Sequence, residues 1–339
     1  VRIRLTDLAD QAGTSISTVS RVINGKPGVA EDVRRRVLAA MDLLGYERPR
    51  AGRGRSAGLI GLVVPELSNP VFPAFAQAIE SVLSRHGYTP VLCTQSPGGT
   101  TEDEYIDALL SHQVDGIVFV SGLHADTRAD LGRYQRLTER GLPIVLVNGD
   151  APAVDAPSVS PDDARAADLA VAHLAALGHR RIGLAVGPER FVPARRKLDG
   201  FVHALVQRGL SPDADEAATH VARSFFTVEG GRAAASELLA TGHTAIVCAS
   251  DIMALGAVTA ARAAGLEVPA DVSVVGYDDS PLVAYTDPPL TTVRQPVAAM
   301  SEAAVSALLA EIGGERVSRT ELLLAPELVV RGSTGTARA

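Results

Sequence analysis

The sequence predicts an α/β protein in two parts. An N-terminal three-helix, helix-turn-helix headpiece precedes a larger body of two doubly wound parallel-sheet subdomains with a cleft between them. Three observations predict this. Near the N-terminus, two short segments with apolar residues at helical spacing flank a Gly13-Thr14 turn. From residue 59 onward, apolar strand-like runs alternate with helical patterns, as expected of parallel strands covered by helices on both faces. Finally, Arg181-Ile182-Gly183-Leu184-Ala185-Val186 echoes Leu59-Ile60-Gly61-Leu62-Val63-Val64, so the alternation starts a second time.

The first helix of the headpiece covers residues 5–12, and a second starts at Ser15, whose hydroxyl is placed to cap the free amides of the first turn. Leu5, Leu8, Ala9, Val19, Val22 and Ile23 recur at helical spacing and pack the pair together. The outward face of the second helix is Ile16, Ser17, Thr18, Ser20 and Arg21. Small groups, hydroxyls and one arginine compose a surface that meets DNA phosphates and base edges. A third helix runs over 31–44 and ends at Gly45-Tyr46. Residues 47–58 form a linker with one proline, three glycines, four arginines and no bulky apolar residue. Its Gly52-Arg53-Gly54 precedes a strand instead of following one, which excludes a dinucleotide loop.

In the body, strands are predicted over 59–64, 90–93, 115–120 and 143–147, with helices over 72–85, 102–112 and 129–140. The second round has helices over 163–177, 194–208, 228–240 and 252–264. Its strands lie over 181–186, near His220, and over 245–248 and 272–275. A crossing strand at 289–295, a helix over 297–312 and a strand at 327–330 close the chain. The cleft between two such units is the default ligand site.

A chain of 339 residues that is 46% apolar supports a small domain plus a body with a sizeable core. No apolar run reaches membrane-spanning length and no apolar N-terminal signal segment is seen, so a cytoplasmic protein is expected. Cys93 and Cys248 each end an apolar run and read as buried free thiols in a reducing compartment. The net charge of −7 hides an asymmetry: residues 1–55 hold eleven basic and six acidic side chains, a net +5, which leaves −12 for the rest. A basic module on an acidic body binds phosphates locally without coating the whole protein in nucleic acid. The eight histidines show no close pair at ligand spacing, the two cysteines are far apart, and no nucleophile elbow or P-loop is present. Neither catalysis, a cofactor nor a metal is expected.

The stretch Ser17-Thr18-Val19-Ser20-Arg21-Val22-Ile23-Asn24-Gly25 resembles the signature of the LacI/GalR transcription regulators, and the resemblance extends over nearly the whole chain. It implies that Arg21 reaches a guanine, that Ile16 and Ser17 read operator sequence, and that Ser15, Thr18, Ser20 and Asn24 hold phosphates of double-stranded operator DNA. Arg4 and Ala30 stand where the family usually carries hydroxyl caps, and Ala30 also forgoes one phosphate contact. The family's hinge helix and its leucine wedge have no counterpart in 47–58. Arg50, Arg53 and Arg55 instead form either a charged arm along the minor groove or a passive tether.

For the body, the resemblance implies a periplasmic-binding-protein-like fold. It puts the headpiece at 1–46, the linker at 47–58 and the effector-binding and dimerisation domain at 59–334. Within that domain the N-subdomain spans about 59–155 and 289–315, the C-subdomain about 156–288 and 316–332. It assigns Arg195 and Asp278 to the effector, with Ser250 and Asp251 at a helix start, where Asp251 is either a further contact or mainly a helix cap. Phe72, Asn148 and Phe226 serve either as ligand contacts or as packing. Pro70-Val71-Phe72-Pro73-Ala74-Phe75, Gly276-Tyr277-Asp278-Asp279-Ser280 and the segment 289–296 look most like a maltose-responsive branch. A homodimeric repressor released by a small sugar is therefore expected; the opposite sign, or a non-sugar metabolite, is the alternative. The tail after Val330 has no heptad repeat, so no tetramer-forming coil is expected.

Overall fold

The computed structural model describes residues 3–23, 28–46, 57–95 and 98–338. The chain divides into two compact units, Val1–Arg55 and Ser56–Ala339.

The smaller unit contains three helices, Leu5–Ala12 (α1), Ile16–Ile23 (α2) and Glu31–Leu44 (α3). Leu8, Ala9, Ala12, Val19, Val22, Val37 and Ala40 are buried together as its core. Gly13 ends α1 in the left-handed region at φ 60°, which a glycine adopts without penalty. The missing hydroxyl cap at Arg4 is offset from the other side: the Arg4 backbone N–H donates to the Asp7 carboxylate at 2.8 Å. At Ala30 no side chain caps α3, and Glu31 and Asp32 in the first turn face the positive end of the helix dipole.

The larger unit holds two six-stranded sheets. Its elements, in chain order, are Leu59–Val64 (β1), Val71–Arg85 (α4), Thr89–Thr94 (β2), Glu102–Ser111 (α5), Gly116–Val120 (β3), Gly132–Glu139 (α6), Ile144–Val147 (β4), Ser158–Pro161 (β5) and Asp163–Ala176 (α7). Next come Ile182–Val186 (β6), Val192–Gln207 (α8), Ala214–Ala218 (α9), Val221–Arg223 (β7), Val228–Ala240 (α10), Ala245–Cys248 (β8), Asp251–Ala263 (α11), Ser273–Asp278 (β9), Thr291–Arg294 (β10), Val297–Ile312 (α12), Leu322–Leu324 (β11) and Glu327–Val329 (β12). The first sheet has the order β11-β5-β4-β3-β1-β2 and the second β12-β10-β9-β8-β6-β7. All pairings are parallel except β10 with β12. The central strands β3, β4, β6 and β8 are buried throughout, as sheets covered on both faces require.

The subdomain boundaries differ from those expected. Residues 158–161, placed in the C-subdomain from sequence, form β5 of the first sheet, and 322–324 join that sheet as β11. Residues 291–294, placed in the N-subdomain, form β10 of the second sheet. The chain thus crosses between subdomains at 161–163, 294–297 and 324–327. Strand membership is decided by which neighbour completes the hydrogen-bond ladder, and the local pattern does not encode that. Cys93 and Cys248 are free and buried, and burial raises both thiols above their ordinary range. Among the described residues no helix is long and apolar enough to cross a membrane.

Candidate functional site

Two surfaces carry the candidate chemistry. On α2, Ser15 accepts the Thr18 backbone N–H at 3.2 Å and so caps the helix, and its hydroxyl lies 2.8 Å from both the Ser17 and Thr18 hydroxyls. Ser15, Ile16, Ser17 and Arg21 are exposed, with Ile16 at 47%, while Thr18 and Ser20 are half-buried. Val19 and Val22 point into the core and fix which face of α2 is presented. An exposed isoleucine next to hydroxyls and a guanidinium is a surface that gains by meeting a base edge. Asn24 and the linker arginines Arg50, Arg53 and Arg55 lie outside the described residues.

In the larger unit, a cavity of about 240 Å³ lies between the two subdomains. Phe72 at the start of α4, Asn148 after β4, Phe226 before α10, Ser250 before α11 and Asp278 at the end of β9 all line it. Five of the seven effector candidates therefore converge. The other two do not. Arg195 is exposed and lies outside the cavity, whereas Lys197, on the same helix, lines it. Two residues are about 200° apart around a helix, so Arg195 and Lys197 face opposite ways. Asp251 is buried away from the cavity, with Oδ1 accepting from the Thr292 hydroxyl at 2.6 Å and Oδ2 from the Ser280 N–H at 2.7 Å. The helix cap is Ser250, whose hydroxyl accepts the Met253 N–H at 3.3 Å.

The polar wall is built from strained positions. Ser121, Asn148 and Asp278 have φ of 47°, 62° and 121°, values that L side chains rarely adopt and that need surrounding structure to hold them. Gln295 Nε2 donates to Asp278 Oδ1 at 2.6 Å, and Asn148 Nδ2 to the Ser121 hydroxyl at 2.5 Å. One oxygen on each of Asp278, Gln295 and Asn148 (Oδ2, Oε1 and Oδ1) is buried without a donor. Burial pushes the Asp278 carboxyl well above the ordinary carboxylate range, and the nearby Asp251 carboxylate pushes the same way. Burial likewise raises Asp251, to about 6.

Among the described lining residues Lys197 is the only cation, and it is committed elsewhere. Its Nζ lies 2.5 Å from Asp163 Oδ1 and 3.9 Å from the Tyr277 ring centroid, and the Tyr277 hydroxyl donates to the same Asp163 oxygen at 2.8 Å. The apolar wall is Phe72, Phe226 and Phe191, the last two with ring centroids 6.2 Å apart. Lys197, Gln295, Ser121 and Phe191 were not foreseen. Only Lys197 left a trace in the sequence, as one of two lysines in a chain that otherwise uses arginine.

The fold also brings together a histidine pair that sequence spacing does not suggest: His220 Nδ1 lies 2.8 Å from His243 Nε2. His243 Nδ1 faces the Leu238 carbonyl at 2.9 Å, so that nitrogen carries the proton and Nε2 accepts from His220. Among the described residues no group of three or more histidine, cysteine, aspartate or glutamate side chains is arranged to hold a metal ion.

Comparison with known proteins finds relatives for both parts of the chain. A family model described as bacterial regulatory proteins, lacI family, matches residues 4–49, and one described as a periplasmic binding protein-like domain matches residues 171–334. The HTH-type transcriptional regulator MalR of Streptomyces coelicolor is 61% identical over 335 residues, covering 98% of this chain and 97% of its own. Among solved structures, a complex of the transcriptional regulator CelR with cellobiose aligns with a TM-score of 0.72 at 33% identity, over 98% of this chain and 100% of that one. The lac repressor dimer bound to operator and the anti-inducer ONPF aligns with a TM-score of 0.71 at 30% identity, over 99% and 100%.

Proposed function

The chain belongs to the LacI family of bacterial regulatory proteins, and from that premise we propose that it is a cytoplasmic, homodimeric transcription repressor released from its operator by a neutral sugar. Maltose or a related gluco-oligosaccharide is the first candidate. The observation that carries the sugar reading is the lining of the cavity, in which the polar side chains of Ser121, Asn148, Asp278 and Gln295 stand with the rings of Phe72, Phe191 and Phe226. A few polar side chains in a mostly apolar cavity fix a ligand's orientation, sugar hydroxyls both donate to and accept from such groups, and flat rings suit the apolar face of a pyranose. Among the described lining residues Asp278 and Glu66 are the acids, and the one cation, Lys197, is already paired with Asp163. That balance disfavours a sugar phosphate.

On the DNA side, Arg21 reads a guanine, Ile16 and Ser17 set the preferred operator, and Ser15, Thr18, Ser20 and Asn24 hold phosphates. Two headpieces in a dimer read half-sites of a near-palindrome. Leu282 and Tyr285, exposed at 70% and 86%, offer apolar surface for a second copy. The test is fluorescence anisotropy of a labelled operator against maltose, maltotriose, cellobiose and glucose 6-phosphate. Maltose or maltotriose weakens binding by about 5–150-fold, the usual range of allosteric coupling, and glucose 6-phosphate leaves it unchanged. Tighter binding with sugar would reverse the sign to corepression, and indifference to every sugar would remove the sugar reading.

A further inference from the structure

Besides the three covalent crossings, the subdomains touch where no chain passes between them. Asp126, in the loop after β3, forms a lone antiparallel bridge with Phe191, just before α8. Thr127 donates both its backbone N–H (2.8 Å) and its hydroxyl (2.9 Å) to the Arg190 carbonyl. Arg190 Nε lies 2.9 Å from Asp126 Oδ2, and its guanidinium sits 4.9 Å from the Phe191 ring centroid. The other Asp126 oxygen accepts the Arg128 N–H at 2.9 Å, so the carboxylate is held by its own loop as well.

Both sides of this contact are anchored, and both reach the cavity. On the N-subdomain side, the Leu123 N–H donates to Glu102 Oε2 at 3.1 Å and the His124 N–H to the Tyr134 hydroxyl at 2.8 Å. Tyr134 in turn donates to Glu102, and both are buried, so the loop rests on a fixed bracket. Ala125, one residue before Asp126, lines the cavity, as does Phe191, one residue after Arg190. A ligand that presses on the Phe191 ring therefore presses on the residue that carries the bridge.

We propose that Asp126, Thr127 and Arg190 form a clasp that couples cavity occupancy to the angle between the subdomains. Asp126 and Arg190 are positioning residues: they set where Phe191 stands and touch each other instead of the ligand. This rests on the sugar-binding reading for its ligand, but the clasp itself has a ligand-independent signature. With the clasp intact, the binding-competent closure is more populated, and apparent affinity scales with that population.

The test uses the full chain with D126N, which keeps an acceptor for the Arg128 N–H, together with R190M, R190K and the D126N/R190M double variant. Isothermal calorimetry with maltose and maltotriose reads affinity; amide exchange of the segment containing Thr127, without sugar, reads the clasp. D126N and R190M each weaken sugar binding by about three- to tenfold, as a partly exposed ion pair joined to hydrogen bonds allows. The double variant is no worse than either single one, R190K keeps wild-type affinity, and Thr127 exchange quickens in both single variants. Unchanged exchange in D126N and R190M overturns the clasp, as do additive losses in the double variant or an R190K as weak as R190M. If the wild type binds neither sugar while exchange still quickens, the sugar reading falls and the clasp stands.

Discussion

Asp278 ends a fully buried strand at φ 121°, shares a hydrogen bond with Gln295, and keeps its second oxygen without a donor. Replacing it with asparagine keeps the Gln295 contact and puts an NH2 group, which cannot accept, in place of the second oxygen. D278N is expected to weaken sugar binding by roughly tenfold, the worth of one good hydrogen bond, with an unchanged far-ultraviolet circular dichroism spectrum; wild-type affinity by calorimetry would remove Asp278 from the site. Arg21 is the counterpart on the DNA side. R21A is expected to relax preference at one base pair by about 1–3 kcal/mol, measured with operators varied at each position. His124 links to pH. It is fully buried and held at about 4, below the ordinary histidine value of 6.5, because burial disfavours its charged form. A depressed histidine contributes stability above its unfolded value that is lost as pH falls from about 6.5 to about 4. H124Q, which preserves a donor toward the Val147 carbonyl, is expected to shrink the fall in Tm between pH 7.5 and pH 5 in calorimetric scans. The raised carboxyls of Asp251 and Asp278 act in the opposite sense, losing stability as pH rises, so the comparison of variants isolates His124.

Among the elements, helix periodicity proved sufficient for existence and insufficient for facing. The helix expected over 194–208 is present as α8, but it turns Lys197 and not Arg195 toward the cavity. Both are long cations two residues apart, and only the packing of Ala194, Lys197, Gly200 and Phe201 against the body shows which way the helix is turned. The short strands β5 and β11 were missed for a related reason. Ser158-Val159-Ser160-Pro161 alternates polar and apolar residues too briefly to register, yet all four residues are buried. The α10–α11 pair shows a constraint that only coordinates reveal. A methyl group on Gly256 would collide with the Val228 carbonyl oxygen, and one on Gly231 with that of Met253. G256A is expected to cost about 1–3 kcal/mol through overpacking, a fall of about 2–4 °C in Tm per kcal/mol; an unshifted melt would show that the helices part without strain.

At the scale of the molecule, residues up to Arg55 and from Ser56 onward form separate compact units, each with its own core. A chain beginning at Ser56 is therefore expected to melt cooperatively and to bind maltose with the affinity of the full chain while losing operator binding. A body that aggregates or loses the sugar would show that the first 55 residues complete its core. Charge separates along the same line, with +5 on the first 55 residues and −12 on the remainder. The sequence by itself determined the three headpiece helices and the duplicated α/β body, because turn chemistry, capping and apolar periodicity are local properties of the chain. Tertiary structure alone decided which strands cross between sheets, that Lys197 and Gln295 face the cavity while Asp251 turns inward, and that Asp126 meets Arg190. Those outcomes depend on hydrogen-bond ladders and packing between segments tens to more than a hundred residues apart, and no local pattern carries that information.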